Sequence, residues 1–396
     1  MPEIILKKGR EKSLIRHHPW IFSGSVARIS GSPISGETIN ILSDEGQFLA
    51  RAAYSPFSKI VARVWTWEEK QEVNNSYFYE KITKAIEMRK SFRDQDYSYT
   101  AIRLLHGESD GLPGVILDQY NDICVIQFLT TGAEFWRDLI IEIVNSVRTP
   151  RAIFERSDSD VRKLEGLEQR IGLLSGIMNE NEIIIKEFDL KYIVDIANGH
   201  KTGFYIDQRE NRKRIRNLTR NCRVLDCFSY TGGFALNALA GGASSLTLVD
   251  SSGLALSIAS RNVTLNNLDA QNIQYYTQDV FQFLRGQRDR GEVYDIVILD
   301  PPKFAPTILQ VERASRGYKD INLLALKLLN PGGILVTFSC SGGVSDDLFQ
   351  KILAGAALDA GVAAMILERL HQGFDHPIAM NFPESAYLKG FIIKKM

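Results

Sequence analysis

Three patterns of hydrophobic and polar positions follow one another along the chain, and the first is typical of a small all-β fold. Up to about residue 75, short apolar or alternating runs are separated by Ser-Gly, Ser-Pro and Glu-Gly turn signals. The predicted strands are Ile4–Leu6, Ile39–Leu42, Phe48–Ala53 and Ile60–Trp67. Strands this short and this regular predict a small barrel, followed by a linker over residues 72–76.

The second pattern mixes helical and strand signals. Apolar residues recur at helical spacing over 77–93, and a second helix is predicted from about 134 to 148. Between and after these helices, the predicted strands are Ala101–His106, Val115–Asp118, Cys124–Leu129, Ala152–Glu155 and Ile183–Phe188. This combination predicts an α+β domain.

From about residue 190 the chain alternates between apolar strands and helices. The predicted strands are Arg223–Cys227, Leu246–Asp250, Ile273–Tyr276, Ile296–Asp300, Ile334–Ser339, about Ala363–Leu370, and Leu388–Ile393. Several are continuously apolar, as in sheets covered on both faces, which predicts a doubly wound parallel α/β sheet. The predicted domains are therefore residues 1–75, 76–189 and 190–396.

Composition excludes several classes of protein. Of the 396 residues, 44% are apolar and 24% are charged, with a net charge of zero, so disorder is not expected. No apolar run approaches 18 residues and the N-terminus turns charged at Lys7, so neither a membrane helix nor a signal peptide is expected. We therefore expect a cytoplasmic protein. The four cysteines form no CxxC pair, so no disulfide scaffold and no metal site is expected.

The neutral total hides two basic segments. Residues 1–30 carry a balance of +4, and residues 201–223 carry eight cations against two anions, a balance of +6. A helix over 207–219 would align five of these cations in one stripe, namely Arg209, Arg212, Lys213, Arg216 and Arg220. The stripe is either a footprint for nucleic-acid phosphates or a solvated helix face, and the sequence favours neither.

A loop rich in small residues follows the first strand of the α/β region. It contains Phe228, Tyr230, Gly232 and Gly233, starts at Asp226, and lacks the GxGxxG pattern of dinucleotide-binding proteins. It is similar to the glycine loop of S-adenosylmethionine (SAM) methyltransferases. Asp250 after the second strand is placed to bind ribose hydroxyls, and Asp279 after the third is placed to meet the adenine amine, although each acid alone is also typical of helix caps.

The fourth strand ends in Asp300-Pro301-Pro302-Lys303, in which two prolines end the strand pairing and stiffen the loop. In SAM methyltransferases, such a motif commonly contacts a planar target that carries nitrogen. A tight turn with no further role is the alternative.

The fifth strand ends at Cys340, which places a thiol at the carboxyl edge of the predicted sheet. Pyrimidine C5 methylation needs such a nucleophile, because C5 becomes reactive only after a thiolate adds to C6. Cys340 is the candidate nucleophile, with a structural strand-end cysteine as the alternative. Cys124, Cys222 and Cys227 are expected to be buried or to have packing roles.

At these motifs the chain resembles a family of bacterial 23S ribosomal RNA cytosine-5 methyltransferases that carry a PUA domain, an RNA-binding pseudo-barrel. The matching segments are KGREKSL at 8–14, HPWIFSG at 18–24, GESDGLPG at 107–114, GHKTGFYIDQR at 199–209, CFSYTGGF at 227–234, DPPKF at 300–304, RGYKDIN at 316–322, FSCSG at 338–342 and YLKGF at 387–391. The resemblance implies a PUA domain, an α+β middle domain and a Rossmann-like class I methyltransferase domain, with SAM as cofactor and 23S ribosomal RNA as partner.

The resemblance also implies residue roles. Cys340 would be the nucleophile, and the cofactor motif would fall on the loop at 228–233 with Asp250 and Asp279. The larger group of RNA cytosine-5 methyltransferases has a second cysteine in the fourth-strand motif, whereas this chain reads DPPK there. The base that removes the C5 proton is therefore unassigned, and Asp300 could bind the N3/N4 edge of cytosine. Lys303 is a candidate for contact with phosphate or base.

Arg209 is a candidate partner for the methionine carboxylate of SAM, with a packed loop as the alternative. Three other functions stay open: exocyclic N-methylation, which needs no thiol; RNA binding without catalysis by a protein that retains SAM; and, weakest because of its glycine pattern, a nicotinamide dehydrogenase. The sequence leaves the oligomeric state open, a homodimer included.

Overall fold

A computed structural model describes residues 1–93, 99–304 and 310–396. The chain divides into two compact units, which we describe separately. The first comprises residues 1–188, 194–206 and 374–385, and the second comprises residues 189–193, 207–373 and 386–396. The three domain ranges expected from the sequence remain a prediction beside this division.

The first unit begins with a six-stranded sheet. Its elements are β1 (Glu3–Leu6), α1 (Lys12–Ile15), β2 (Trp20–Phe22), β3 (Val26–Ser30), β4 (Thr38–Leu42), β5 (Phe48–Tyr54) and β6 (Ile60–Thr66). The strand order is β2-β6-β5-β4-β1-β3. The four predicted strands are present, and β2 and β3 were not predicted. β2 has only three residues and β3 is mostly exposed, so neither gives a clear apolar pattern in the sequence.

A five-stranded sheet and its helices follow in the same unit. The elements are α2 (Asn75–Arg93), β7 (Ala101–His106), β8 (Val115–Tyr120), β9 (Ile123–Phe128), α3 (Thr131–Phe135), α4 (Arg137–Arg148), β10 (Ala152–Ser157), α5 (Val161–Leu164) and β11 (Arg170–Gly176). The strand order is β11-β10-β9-β8-β7. The predicted linker is shorter than expected, since α2 begins at Asn75, and the predicted helix over 134–148 is two helices that meet at Trp136.

Two more strands, β12 (Glu182–Glu187) and β13 (Leu190–Asp195), lead into the α/β region. Its elements are α6 (Arg209–Arg216), β14 (Arg223–Cys227), α7 (Gly233–Ala240), β15 (Ser245–Asp250), α8 (Gly253–Leu265), β16 (Ile273–Thr277), α9 (Val280–Asp289), β17 (Tyr294–Leu299), α10 (Val311–Leu328), β18 (Leu329–Ser339), α11 (Asp346–Ala360), β19 (Ala364–Leu370) and β20 (Lys389–Lys395).

The second unit is built on a seven-stranded sheet in the order β16-β15-β14-β17-β18-β20-β19. All seven predicted strands are present, and the predicted parallel sheet is mixed at one edge. β20 pairs antiparallel with both β18 and β19, because the chain enters the sheet between them from the opposite end. The other pairs are parallel, and apolar cores cover both faces of the sheet.

Local signals at the helix ends explain where several helices of this unit begin. The side chains of Ser252, Asp279 and Ser345 accept hydrogen bonds from the backbone N–H groups of Ala255, Gln282 and Leu348, respectively. Such caps satisfy amide groups that have no partner within the helix. They place each helix start just past the carboxyl end of a strand, where the loops of this fold carry function.

Candidate functional site at the carboxyl edge of the seven-stranded sheet

The strand order reverses between β14 and β17, which is the switch point at which open α/β sheets bind ligands. The parallel strands β14, β15, β17 and β18 end at the same edge of the sheet. Asp250 is the last residue of β15, Asp300 follows β17 directly, and Cys340 follows β18 directly. The structure therefore gathers these side chains with the loop after β14, as the sequence predicts.

The loop after β14 has a strained backbone. Phe228 and Tyr230 have φ angles of 60° and 48°, and Gly232 has a φ of 80°. Left-handed conformations of large residues cost about 1–3 kcal/mol each and concentrate at ligand sites. At Gly232 a side chain would also lie 3.0 Å from the Cβ of Ala259. The loop therefore keeps a tight path past the neighbouring helix.

Asp250 helps to hold this loop. Its Oδ2 accepts a hydrogen bond from the backbone N–H of Tyr230 at 2.9 Å, and its Oδ1 accepts one from Ser252 at 2.8 Å. Each carboxylate oxygen has further acceptor capacity, so these bonds are compatible with additional bonds to ribose hydroxyls. Asp279 is exposed and caps α9 through Oδ1. The capping role considered for Asp279 is thus present, and its contact with adenine remains a prediction.

Asp226 is fully buried at the centre of the site. Burial raises the pKa of this carboxyl well above its usual range, the nearby Asp300 and Asp250 raise it further, and the backbone N–H of Ala235 partly offsets them. Three neighbouring carboxyl groups therefore repel one another when ionised. A cationic ligand relieves that repulsion, and SAM carries a sulfonium and an ammonium group, so the site fits this cofactor.

The predicted basic stripe does not form. The helix α6 ends at Arg216, four residues before Arg220, and both Arg209 and Arg212 are buried. The stripe fails as a continuous surface because two of its five cations face the interior. Of the cations proposed to contact RNA, Lys213 is exposed, and Arg216 forms an ion pair with Asp189 at 2.8 Å.

Arg212 lies instead beside the cofactor loop. A Cβ on Gly233 would approach its Cδ to 3.1 Å, and its guanidinium lies 6.0 Å from the ring of Tyr192. Arg209 is likewise fully buried at the start of α6. A buried guanidinium needs anionic or carbonyl partners, so both arginines suit an interior or cofactor-facing role better than an RNA-facing one.

The thiol of Cys340 lies against the DPPK loop. Its sulfur is 3.9 Å from the carbonyl oxygen of Pro301. Pro301 is buried, whereas Pro302 and Lys303 are exposed. A partly buried thiol and the DPPK loop thus meet beside the switch point. Cysteine reactivity requires a thiolate that a substrate can reach, and Cys340 is only partly buried.

The other three cysteines differ in burial and surroundings. Burial raises the pKa of Cys124 to about 12 and that of Cys227 well above its ordinary value, with Asp226 adding to the effect at Cys227. Cys222 is partly buried, and burial followed by Asp295 raises its pKa as well. The expected packing role is confirmed for Cys124 and Cys227, which are buried inside strands.

Sequence reasoning assigned no role to two residues behind Cys340. Tyr318 on α10 shares a 3.0 Å hydrogen bond with the hydroxyl of Ser341, and Lys389 on β20 donates from Nζ to the carbonyl of Ser341 at 2.9 Å. Both residues are buried. Both residues lie in segments that carry the family resemblance, RGYKDIN and YLKGF. The sequence does not show, however, that these segments meet beside Cys340.

Among the residues that the structure describes, no group of three or more His, Cys, Asp or Glu residues is arranged to hold a metal ion. In the same residues, no helix combines the length and apolar character needed to cross a membrane.

Two family models match the chain, one over the N-terminal six-stranded sheet and one over the region that contains the seven-stranded sheet. Residues 4–67 match the PUA-like domain family, and residues 168–390 match the family of S-adenosylmethionine-dependent methyltransferases. A SAM-dependent methyltransferase structure from Streptococcus mutans has 25% sequence identity and a TM-score of 0.86, with each chain covered completely. The crystal structure of SMU.776 in complex with SAH has 25% identity and a TM-score of 0.88, again over all of both chains.

Curated relatives cover almost the whole chain. Proteins named Ribosomal RNA large subunit methyltransferase I are 48% identical in Escherichia coli O157:H7, over 99% of both chains. In Aeromonas salmonicida the identity is 49%, over 99% of this chain and 98% of the relative. Because the family profile matches and the relatives cover the full length, this chain belongs to the S-adenosylmethionine-dependent methyltransferases, in the group whose curated members bear the name Ribosomal RNA large subunit methyltransferase I.

Proposed function

We propose that this protein methylates carbon 5 of a cytosine in 23S ribosomal RNA through a covalent adduct between Cys340 and carbon 6 of the base. The observation that carries the proposal is the thiol of Cys340 at the carboxyl edge of the sheet, 3.9 Å from the Pro301 carbonyl of the DPPK loop. The SAM-dependent class of enzyme follows from the family, whereas the base, the atom and the adduct are inferred from this arrangement.

The chemistry needs the thiol because C5 of cytosine is a poor nucleophile. Attack of the Cys340 thiolate on C6 forms the S–C6 bond and moves the C5=C6 electron pair onto C5. When bound, SAM supplies an electrophilic methyl group. C5 would take this methyl group as the sulfonium–methyl bond breaks, with SAH as the leaving group, and would then lose its proton to solvent water. The electrons of the C5–H bond rebuild C5=C6, and the S–C6 bond breaks to return the thiolate.

Other residues of the edge would orient the reactants. Asp300 would accept a hydrogen bond from the cytosine N4 amine, and the stiff Pro301-Pro302 segment would hold that carboxylate in place. The exposed Lys303 would bind a phosphate of the RNA. On the cofactor side, the loop with Phe228, Tyr230, Gly232 and Gly233, the carboxylates of Asp226, Asp250 and Asp279, and the cation of Arg209 would hold SAM.

The substrate class rests on two supports. Curated relatives over the full length are named for large-subunit ribosomal RNA, and residues 4–67 match the PUA-like family. Residues 1–30 carry an excess of four cations, which would bind phosphates at low salt. We propose residues 1–75 as the RNA-binding domain, 76–189 as the middle domain and 190–396 as the catalytic domain.

The test is methyl transfer from labelled SAM to 23S RNA that lacks the modification, with the product nucleoside identified by mass spectrometry. Wild type and Cys222→Ala, which removes another partly buried thiol, should yield 5-methylcytidine. Cys340→Ala should yield none. RNA with 5-fluorocytidine at the target should remain covalently attached to Cys340, because fluorine cannot leave as a proton. An active Cys340→Ala variant, or an N-methylated product, would overturn the C5 mechanism.

A further inference from the structure

A buried lysine lies behind the nucleophilic thiol. Lys389 is the first residue of β20 and pairs in register with Ser339, the residue before Cys340. Its side chain is almost completely enclosed, with a relative exposure of 3%. Lysine is rarely buried to this extent unless its charge has partners, so the groups that contact its ammonium indicate what it does.

The ammonium group of Lys389 holds the segment that carries Cys340. Nζ donates a 2.9 Å hydrogen bond to the carbonyl of Ser341, the residue after Cys340. The hydroxyl of Ser341 shares a 3.0 Å hydrogen bond with Tyr318, which is fully buried on α10. Side chains of two elements therefore hold the tip of β18, and of these two side chains Lys389 is the one that carries a charge.

The electrostatic surroundings couple Lys389 to the thiol. Burial lowers the pKa of Lys389, and the charge of Lys303 acts in the same direction. Asp346 at the start of α11 and the thiolate form of Cys340 oppose these effects and favour the ammonium. The attraction is mutual, so a charged Lys389 stabilises a thiolate at Cys340. That support matters because the carbonyl oxygen of Pro301, 3.9 Å from the sulfur, repels an anion.

We infer that Lys389 is a positioning residue that fixes the tip of β18 and favours the thiolate of Cys340 through its positive charge. The inference rests on the proposed function, since it assigns Lys389 a part in forming the nucleophile. The same cation would stabilise the thiolate that leaves when the S–C6 bond breaks, so it assists both addition and release.

Three variants separate the effect of the Lys389 charge from the effect of the hydrogen bonds that hold Ser341. Lys389→Gln removes the charge but retains an N–H donor for the Ser341 carbonyl. Lys389→Arg retains the charge. Tyr318→Phe removes the other hydrogen bond to Ser341 and leaves the charge in place. Binding of SAH, measured by calorimetry, checks that each variant folds with an intact cofactor site.

The readout is the rate at which iodoacetamide alkylates Cys340 as a function of pH, followed by peptide mass spectrometry with Cys222 as the internal reference. Lys389→Gln should move the midpoint of the alkylation profile to higher pH by about one unit. At pH values below the midpoint, the alkylation rate should then be about tenfold lower than in wild type. Lys389→Arg and Tyr318→Phe should retain the wild-type midpoint. The pH profile of kcat should follow the same pattern, with KM for SAM unchanged.

An unchanged midpoint in Lys389→Gln would overturn the inference, as would an equal shift in Tyr318→Phe, which would assign the effect to loosening of the strand tip. Failure of the proposed function is a separate result. An active Cys340→Ala variant removes the nucleophile assignment, whereas the alkylation profile of Cys340 does not depend on methyl transfer to RNA.

Discussion

The buried carboxylate Asp226 makes a testable link between stability and cofactor binding. It is fully buried, and burial together with Asp300 and Asp250 raises its pKa. Asp226→Asn removes the charge and retains an oxygen that can accept from the N–H of Ala235. Because an ion without a countercharge costs several kcal/mol to bury, the ligand-free variant should be more stable than wild type at pH 7, by about 1–3 kcal/mol.

The sign of the pH dependence follows from the raised pKa. In the folded protein Asp226 holds its proton to higher pH than in the unfolded chain. Between the unfolded and folded pKa values, the free energy of unfolding of wild type therefore falls as pH rises. Asp226→Asn lacks this contribution, so the difference between variant and wild type should be small near pH 4 and should grow as pH rises.

In cofactor binding, we expect Asp226→Asn to be worse than wild type. SAM carries one more positive charge than SAH, so loss of the Asp226 charge should weaken SAM binding more than SAH binding. We expect the Kd for SAM to rise about tenfold, or about 1.4 kcal/mol, and the Kd for SAH to rise about threefold.

The assay combines urea unfolding from pH 4 to 8 with calorimetric titration of SAM and SAH. Thermal unfolding gives a second measure, with about 2–4 °C expected per kcal/mol for a domain of 150–250 residues. Asp269→Asn is the matched control, because Asp269 is exposed, lies outside the proposed cofactor site, and accepts a hydrogen bond from the N–H of Gln271 through an oxygen that asparagine also has. A less stable Asp226→Asn variant at pH 7, or equal losses of SAM and SAH affinity, would refute the electrostatic reasoning.

Three other changes test separate parts of the molecule. Gly232→Ala should destabilise the protein by about 1–2 kcal/mol and weaken SAM binding in calorimetry, because φ is +80° and the new Cβ would lie 3.0 Å from that of Ala259; unchanged affinity would argue against a tight loop. Lys303→Ala should lower RNA affinity and reduce the slope of log K against log salt by about 1 in filter binding, while SAM affinity stays constant; an unchanged slope would exclude a phosphate contact. Arg89→Met should cost about 3–5 kcal/mol in urea unfolding, because it leaves Asp110 buried without its 2.8 Å partner; a loss below about 1 kcal/mol would show that water replaces the arginine.

Most strands of the large sheet were predictable, because a run of apolar residues is visible in the local sequence. The neighbouring strands β14 and β17 are apolar over most of their length, and β14 was predicted with its observed bounds, Arg223–Cys227. Strand β11 was missed because its residues alternate between partial and full exposure. The direction of β20 was also missed, since apolar runs of either orientation look alike in sequence.

Charge placement was less predictable than strand placement. Helical spacing put Arg209 and Arg212 in one stripe with Lys213, but spacing alone does not say which side of a helix faces the interior. The sheet buried the first two and left Lys213 exposed. A sequence count of cations therefore overstated the basic surface of this segment.

Most of the elements and their order, the loop at 226–233, the DPPK motif and the candidate thiol can be read from the sequence, because each is encoded in adjacent residues. Folding of the sheet is what brings Cys340 to within 3.9 Å of the Pro301 carbonyl and places Lys389 and Tyr318 against Ser341. These residues are separated by tens of positions in the chain. They meet because parallel strands end at one edge of the sheet, while the reversed β20 begins at that same edge.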